Sequence, residues 1–514
     1  MKKTQQANSV VGGVIWKFAE RILTQGVAFL VSLVLARLLT PDDYGTVALI
    51  LVFINLADVF VTSGFSTALI QKKGADDTDF STMIYCSFFC SLIIYGVFFF
   101  TAPLIASFYK NPELTLIVRV FALRIPLSVY FAIQSAWVSR NMQFRIFFFS
   151  GLIAQIISGV LGIGMALAGF GVWALIAQYF AATIVSTIVL CFMVPWHPKR
   201  LFSLGRAKSL MKYGSKILAA DFSGTFFNEL RSLIIGRVYT ESDLAFYNKG
   251  QQLPQLLSSN LNTTIMTVLF PAMANEAEDI THIKAMARKS LQCLSYIVFP
   301  VLLGLAAVMS PLIDILYTHK WQSSSFFGQI YCIGYAVGSL GYVPLQVLKA
   351  IGKSGSVLKL EFIKKPVYLA LLIIGVYFNV PAIAVTMLIF EFYGTTVNLL
   401  QLKRHINYSL GEILKDLLPS FLLAALMSVS VYFITFLELS NIVTIALQVI
   451  IGAIIYIGGS LIIKPEGFNF ALCIIKRFFK KENQIRLRKF LKSFAITVYS
   501  APLIHYGEDF MAVL

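Results

Sequence analysis

The sequence predicts an all-α, polytopic membrane protein with about fourteen transmembrane helices, built as two parallel six-helix lobes followed by two further helices. Three observations predict it. Of 514 residues 58% are hydrophobic and only 13% charged, about half the charged share of a soluble domain, and mean hydropathy is +0.78. Apolar stretches long enough to cross a bilayer recur along the chain as far as residue 463. The first and second sets of six stretches also resemble each other in order and spacing.

The chain opens Met1-Lys2-Lys3, but Lys17, Glu20 and Arg21 interrupt the apolar core that a cleavable export signal requires, so the first helix is expected to be retained. Spans are expected near residues 14–38, 46–70, 82–108, 115–138, 146–169 and 172–195. Six more follow near 213–238, 250–273, 290–317, 326–349, 356–379 and 381–402, and two near 416–437 and 441–463. This gives an N-lobe over 1–198, a basic linker over 199–212, a C-lobe over 213–405, two additional helices within 406–463 and a basic tail over 464–514.

The net charge of +17 raises nucleic acid as a partner, and its distribution argues against that. Roughly 29 of the 42 Lys and Arg residues lie in the tail and in alternate loops on the N-terminal side, about 3 on the opposite side and about 10 within helices. Both termini are therefore expected in the cytoplasm, with the Lys476 to Lys492 stretch on an anionic lipid surface. The six cysteines include no CxxC pair and the five histidines lack ligand spacing, so no disulfide framework, metal or cofactor is expected.

An internal repeat organises the spans. Ala36-Arg37-x-x-Thr40-x-x-Asp43 matches Gly236-Arg237-x-x-Thr240-x-x-Asp243, 200 residues on. Pro103-Leu104-Ile105 with Tyr109 matches Pro311-Leu312-Ile313 with Tyr317, 208 residues on, and Gly171-Val172-Trp173-Ala174 matches Asn379-Val380-Pro381-Ala382 at the same shift. The added eight residues fit the longer loop around 275–289. An even number of spans per copy makes the repeat parallel, with a substrate site expected between the halves.

The polar residues obey the same repeat. In the first span Lys17, Glu20, Arg21, Thr24 and Gln25 share one helical face. The second span offers Asn55, Asp58, Thr62 and Ser66, and the fourth Arg124, Ser128 and Ser135. In the other half the seventh span carries Asp221, Thr225, Asn228, Glu229 and Ser232, with Lys216 and Arg231 as its cations. The eighth carries Gln251, Gln255, Ser258 and Asn262, and the tenth Tyr331, Tyr335, Tyr342 and Gln346. A charge near the bilayer centre costs about 2.5 kcal/mol or more, so these faces are expected to line a protein-enclosed cavity. Spans 3, 5, 6, 9 and 12 are almost uniformly apolar and are expected to face lipid.

The chemistry of the stripes suggests an anionic, sugar-bearing cargo. Lys17, Arg21, Arg124, Lys216 and Arg231 are the candidate substrate-binding cations, since guanidinium forks match phosphate oxygens. Asn55, Thr62, Asn228, Gln251, Gln255, Asn262, Tyr331, Tyr335, Tyr342 and Gln346 are the candidate polar and aromatic lining. Glu20, Asp58, Asp221 and Glu229 are candidates for ion coupling. Plainer roles stand beside these: Lys17, Glu20 and Arg21 as a local ion pair, the two aspartates as structural hydrogen-bond partners, and the tyrosines as packing. Arg37 and Arg237 are expected to pair with Asp43 and Asp243, and Glu361 with Lys364 and Lys365 to form an interfacial salt bridge.

Four stretches add a resemblance: Leu35-Ala-Arg-Leu-Leu-Thr-Pro-Asp-Asp-Tyr-Gly45, Ser63-Gly-Phe-Ser-Thr-Ala-Leu-Ile-Gln-Lys-Lys73, Ala102-Pro-Leu-Ile-Ala-Ser-Phe-Tyr109 and Arg140-Asn-Met-Gln-Phe144. They resemble bacterial polysaccharide transporters, in particular Wzx-type flippases of the colanic-acid kind, within the multidrug/oligosaccharidyl-lipid/polysaccharide exporter superfamily. The resemblance implies a non-enzymatic carrier in the bacterial inner membrane. Its cargo would be undecaprenyl-diphosphate-linked oligosaccharide, moved from the cytoplasmic to the outer leaflet by alternating access, with membrane lipids and other polysaccharide-assembly membrane proteins as partners. It implies a diphosphate role for Lys17 and Arg21; where relatives carry an arginine in helix 2, this chain offers Asp58. The rival readings are a multidrug or cation antiporter, which predicts a net acidic cavity, and a membrane polysaccharide polymerase, which predicts large outer loops.

Overall fold

The computed structural model describes residues 2–62, 64–72, 74–275 and 279–469, excepting the side chains at 2–15, 17–19, 64, 216, 264–272, 274–275 and 354. Among the described residues there is no strand, and fourteen long helices follow the expected order. They are α1 (Lys2–Leu38), α2 (Pro41–Thr62, continued by Gly64–Gln71), α3 (Asp77–Tyr109), α4 (Leu114–Ala122 and Arg124–Arg140), α5 (Phe144–Leu167), α6 (Val172–Met193) and α7 (Leu204–Val238). Then come α8 (Glu241–Asn275), α9 (Ile280–Tyr317), α10 (Ser324–Leu340 and Tyr342–Ala350), α11 (Ser354–Phe378), α12 (Val380–Ile406), α13 (Leu410–Tyr432) and α14 (Asn441–Ile463). Eleven of them are long and apolar enough to cross a membrane; α7, α8 and α11 are the three whose polar residues keep them below that standard. The chain is a multi-pass membrane protein.

The motif that marks the repeat is a helix start. Thr40 Oγ1 accepts from the Asp43 amide at 3.2 Å while Asp43 Oδ2 accepts from the Thr40 amide at 2.9 Å. Thr240 and Asp243 do the same at 3.1 and 3.2 Å. Each is a capping box that satisfies two orphan amides and fixes where α2 and α8 begin. This overturns the expected pairing with arginine, because both carboxylates are committed to their own helix ends.

The breaks in α4 and α10 are also matched. Pro126 and Pro344 lack the amide that would bond the carbonyl four residues back, at Ala122 and Leu340. One turn ahead of each proline the chain tightens: the Leu123 amide bonds Val120 O at 3.1 Å and the Gly341 amide bonds Gly338 O at 3.0 Å. Arg124 and Tyr342 are the first residues beyond the two breaks.

By contacts the chain groups into two compact units. One comprises Met1–Leu253, Met309–Tyr331 and Tyr368–Met387; the other Pro254–Val308, Cys332–Val367 and Leu388–Leu514. In the first unit Leu49, Ile50 and Ile54 of α2 are fully buried, as are Leu35, Phe121 and Ile125. α3 exposes Phe88, Phe89, Phe100 and Leu104, as expected of a lipid-facing helix.

The second unit corrects the reading of span 9 as lipid-facing. Ile283, Ala287, Leu291, Leu294, Val298 and Leu302 run along α9 at three- and four-residue steps, and all are fully buried. They join Ile413, Leu417, Ala424, Met427 and Val431 of α13 in one core. Tyr296 Oη bonds Ser460 Oγ at 3.0 Å and Tyr456 Oη bonds Tyr296 O at 2.8 Å. The two additional helices thus cover a face that an apolar stripe alone would assign to lipid.

The expected basic linker is docked by charge in the first unit. Lys199 pairs with Asp77, and Arg206 with Asp76 and, at 3.4 Å, with Asp79. The Lys199 amide bonds Ser81 Oγ at 3.0 Å. The Arg206 hydrogen bond, then that from the Asp79 amide, hold the Asp76 carboxyl down at about 2. A folded value below the unfolded one means docking is at full strength above about pH 4 and is shed as pH falls through about 2.

Two outcomes are expected. Thr240→Ala should cost about 1 kcal/mol, read as a lowered unfolding temperature in detergent. At pH 7, Arg206→Ala should speed tryptic cleavage after exposed Arg200, and high salt should do the same to the unsubstituted chain by screening the exposed pairs.

Candidate functional site

Several polar residues of α2, α4 and α7 in the first unit meet partners on other helices. Arg124 sits where the proline break swings the chain: its Nη2 lies 3.6 Å from Asp58 Oδ2, its Nε donates to Thr183 Oγ1 at 2.9 Å, and its guanidinium is 5.9 Å from the Tyr179 ring. Asp58 Oδ1 is buried with no hydrogen-bond partner among the described residues. On α7, Glu229 Oε1 accepts from Asn55 Nδ2 at 2.9 Å. Two residues on, Arg231 Nη1 donates to Tyr331 Oη at 3.2 Å, and Tyr331 in turn donates to Tyr247. Tyr368, which donates to Phe227 O at 2.9 Å, is a further hydrogen-bond partner of Arg231.

The expected site residues therefore separate into kinds. Asn55, Asp58, Arg124, Glu229 and Arg231 are half-buried and partnered. Arg21 is half-buried and makes no ion pair or hydrogen bond among the described residues, and Glu20 is half-buried. Asp221 and Asn228 are exposed, and so is Thr62, whose hydroxyl bonds Asp58 O at 2.7 Å. Gln251 and Gln346 are half-buried, and Gln255 and Tyr342 exposed. The side chains of Lys17 and Lys216 lie outside the described residues, as does the Lys476 to Lys492 stretch.

Two expected lining residues are buried instead. Tyr331 is 6% exposed, with Tyr247 edge-on to it at 5.5 Å. Asn262 is 5% exposed and donates to Ser258 Oγ at 3.2 Å and Ser339 Oγ at 3.1 Å. Ser339 bonds the carbonyl of half-buried Tyr335 at 2.7 Å. In both places a neighbouring helix supplies the polar partner, so the side chain turns into the protein. Lys364 pairs with Glu361 at 2.6 Å, as expected, with its own side chain buried.

A second constellation closes the end of the first unit that carries the two capping boxes. Arg37 donates to Leu316 O at 2.9 Å and Ile315 O at 2.5 Å, the last carbonyls of α9. Lys320 returns the favour to α1, donating to Arg37 O at 2.8 Å and Leu39 O at 2.6 Å, and Trp321 Nε1 donates to Ala36 O at 2.8 Å. Each helix C-terminus is capped by a cation from the other chain segment. Arg237 instead lies over the Phe108 ring, 5.0 Å from its centroid.

Close backbone approach holds the same end. Glu241 accepts from Thr46 and, at 2.7 Å, from Asn111 Nδ2. A Cβ on Gly45 would fall 2.1 Å from Glu241 O, so only glycine fits there. Ser242 donates to Asp42, its partner in the repeat 200 residues away. Equivalent residues of two copies touch only on the axis that relates them. Sequence reasoning missed Glu241, Lys320 and Trp321 because their partners are backbone groups or belong to distant spans.

The comparisons with known proteins agree with this architecture. A family model described as "Polysaccharide biosynthesis protein" matches residues 34–326. The succinoglycan biosynthesis transport protein ExoT of Rhizobium meliloti (strain 1021) is 24% identical over 322 residues, 62% of this chain and 65% of that protein. This chain thus spans slightly under two thirds of that relative's length. The lipopolysaccharide biosynthesis protein WzxC of Escherichia coli (strain K12) is 22% identical over 71% of this chain and 75% of its own. Among solved structures, lipid II flippase MurJ in an inward closed conformation has a TM-score of 0.70 at 17% identity, covering 88% of this chain and 98% of that one. An inward-facing multidrug resistance MATE family transporter of the MOP superfamily has 0.57 at 15% identity, covering 75% and 98%. These likenesses establish the MOP exporter fold.

The Asp58 and Arg124 pair gives a direct test. Asp58→Ala leaves Arg124 without its carboxylate and should destabilise the protein by about 3 kcal/mol. A double-mutant cycle with Arg124→Ala should return a coupling of about 1–2 kcal/mol in thermal unfolding.

Proposed function

The chain belongs to the polysaccharide biosynthesis protein family, and from that premise we propose that it is a flippase for lipid-linked oligosaccharide. The cargo is an undecaprenyl-diphosphate-linked glycan repeat unit, carried from the cytoplasmic to the outer leaflet of the bacterial inner membrane with both termini in the cytoplasm. One observation carries the reading: arginines on α1, α4 and α7 sit half-buried inside a multi-pass helical body, where isolated charge is expensive. Arg21, which has no ion-pair partner among the described residues, is available to a diphosphate. Arg231, held by tyrosine hydroxyls, combines a phosphate fork with rings suited to a sugar face.

The headgroup enters the polar path while the polyprenyl chain stays in lipid. An inside-negative potential favours outward movement of an anion by about 2.3 kcal/mol per charge per 100 mV. Asp58 and Glu229 are half-buried carboxylates that would couple an ion, as is Glu20, and Asp58 has an oxygen free to accept one. Release of the glycan on the outer side supplies other polysaccharide-assembly membrane proteins.

The test is reconstitution into liposomes with a fluorescent undecaprenyl-diphosphate oligosaccharide under an imposed potential. Outer-leaflet labelling should fall about tenfold or more in Arg21→Ala and Arg231→Ala, the loss of one charge-assisted phosphate contact each. Transport undiminished in both variants, or drug efflux by a chain that moves no lipid, overturns the reading.

A further inference from the structure

The repeat builds one corner of the first unit twice. In one copy Leu49, Tyr109 and Leu244 converge on Gly236; a Cβ there would lie 2.0 Å from Leu49 Cδ2, 3.3 Å from Tyr109 Cε1 and 3.4 Å from Leu244 Cδ2. Shifting each by the repeat gives Lys249, Tyr317, Tyr44 and Ala36, and these converge too. The ammonium of Lys249 lies 4.3 Å from the Tyr44 ring centroid, 5.0 Å from that of Tyr317 and 5.6 Å from that of Trp321. Trp321 is the ring whose Nε1 bonds Ala36 O. A leucine therefore solves the packing of this corner, and the second copy places a cation where the first has that leucine.

The cation is poorly compensated. Lys249 is 5% exposed, and its one hydrogen bond among the described residues is to Ser32 Oγ at 2.9 Å. No carboxylate pairs with it among those residues. An ammonium has three donors, and ring faces attract it without replacing a counter-ion. Exchanging a buried ion for an apolar residue of similar volume is often stabilising, so the lysine is not there to strengthen the corner.

The cage exists only while this end is closed. Ser32 comes from α1, Tyr44 from α2, Tyr317 from the end of α9 and Trp321 from the turn before α10. The same turn carries Lys320, whose bonds to Arg37 O and Leu39 O hold α1 and α9 together. When these segments part, water reaches the ammonium and its hydration is recovered.

We propose that Lys249 is a conformational device that keeps the closed end near balance, so that this end opens during the working cycle instead of locking shut. Its placement at the outer side of the cycle rests on the flippase reading; its effect on opening does not.

The test replaces Lys249 with the leucine of the other copy and, as a second variant, with methionine, in the full chain in lipid nanodiscs. Hydrogen exchange of the 36–46 and 315–322 segments should slow about tenfold in Lys249→Leu and Lys249→Met, with a raised unfolding temperature. Liposome transport should slow in both. If Lys249→Leu does not fold, Lys249→Met decides alone. Faster exchange in the variants would make the cage a clamp and overturn the proposal, and unchanged exchange would reduce it to packing. A wild type that moves no lipid-linked glycan sinks the flippase reading while the exchange result still stands or falls by itself.

Discussion

Charge inside hydrocarbon needs a partner, and most of this structure follows from where the partners come from. Arg124 is met by Asp58 across two helices, and Glu229 by Asn55. Helices α7 and α8 carry polar groups that lipid would penalise, and Glu229, Arg231 and Lys249 on them are met by Asn55, Tyr331 and Ser32. Beyond its polar first turns, the apolar stretch of α3 can then present Phe88, Phe89 and Phe100 outward at little cost.

The closed end of the first unit obeys the same constraint with backbone groups. Helix C-termini leave carbonyls unsatisfied, and Arg37 and Lys320 answer those of α9 and α1 reciprocally. Such bonds exchange for water at small net cost, whereas apolar interdigitation like the α9 and α13 core of the second unit does not come apart piecemeal. Polar capping therefore suits a contact that must reopen, and apolar packing suits one that must not.

How much of this the sequence discloses depends on the range of the interaction. The fourteen helices follow from apolar runs, and the capping boxes at Thr40 and Thr240 from four-residue motifs, because both are local. The breaks in α4 and α10 carry a signal in Pro126 and Pro344. The burial of α9 does not: a stripe such as Ile283, Ala287, Leu291 and Leu294 reads alike against lipid or against α13. The fate of Arg37 was hidden for a different reason, since its partners are carbonyls 278 and 279 residues away. Asn262 and Tyr331 were legible as polar positions on a helix face, but whether such a face meets a cavity or a neighbouring hydroxyl is settled only by packing.

The repeat sharpens that distinction, because two copies of one plan are an internal control. Where they agree, the residue serves architecture: the Thr-x-x-Asp caps, the proline breaks and the tyrosines Tyr109 and Tyr317 recur in both. Where they differ, the fold has tolerated either residue, and the difference calls for another cause. Arg37 caps a helix while Arg237 lies on a phenyl ring; Leu49 fills a corner that Lys249 charges. Under the proposed alternating-access cycle the two ends cannot be alike, since one closes while the other opens. A perfectly symmetric repeat would give its two copies the same energetics, and in the role proposed for it Lys249 is a departure that makes them differ.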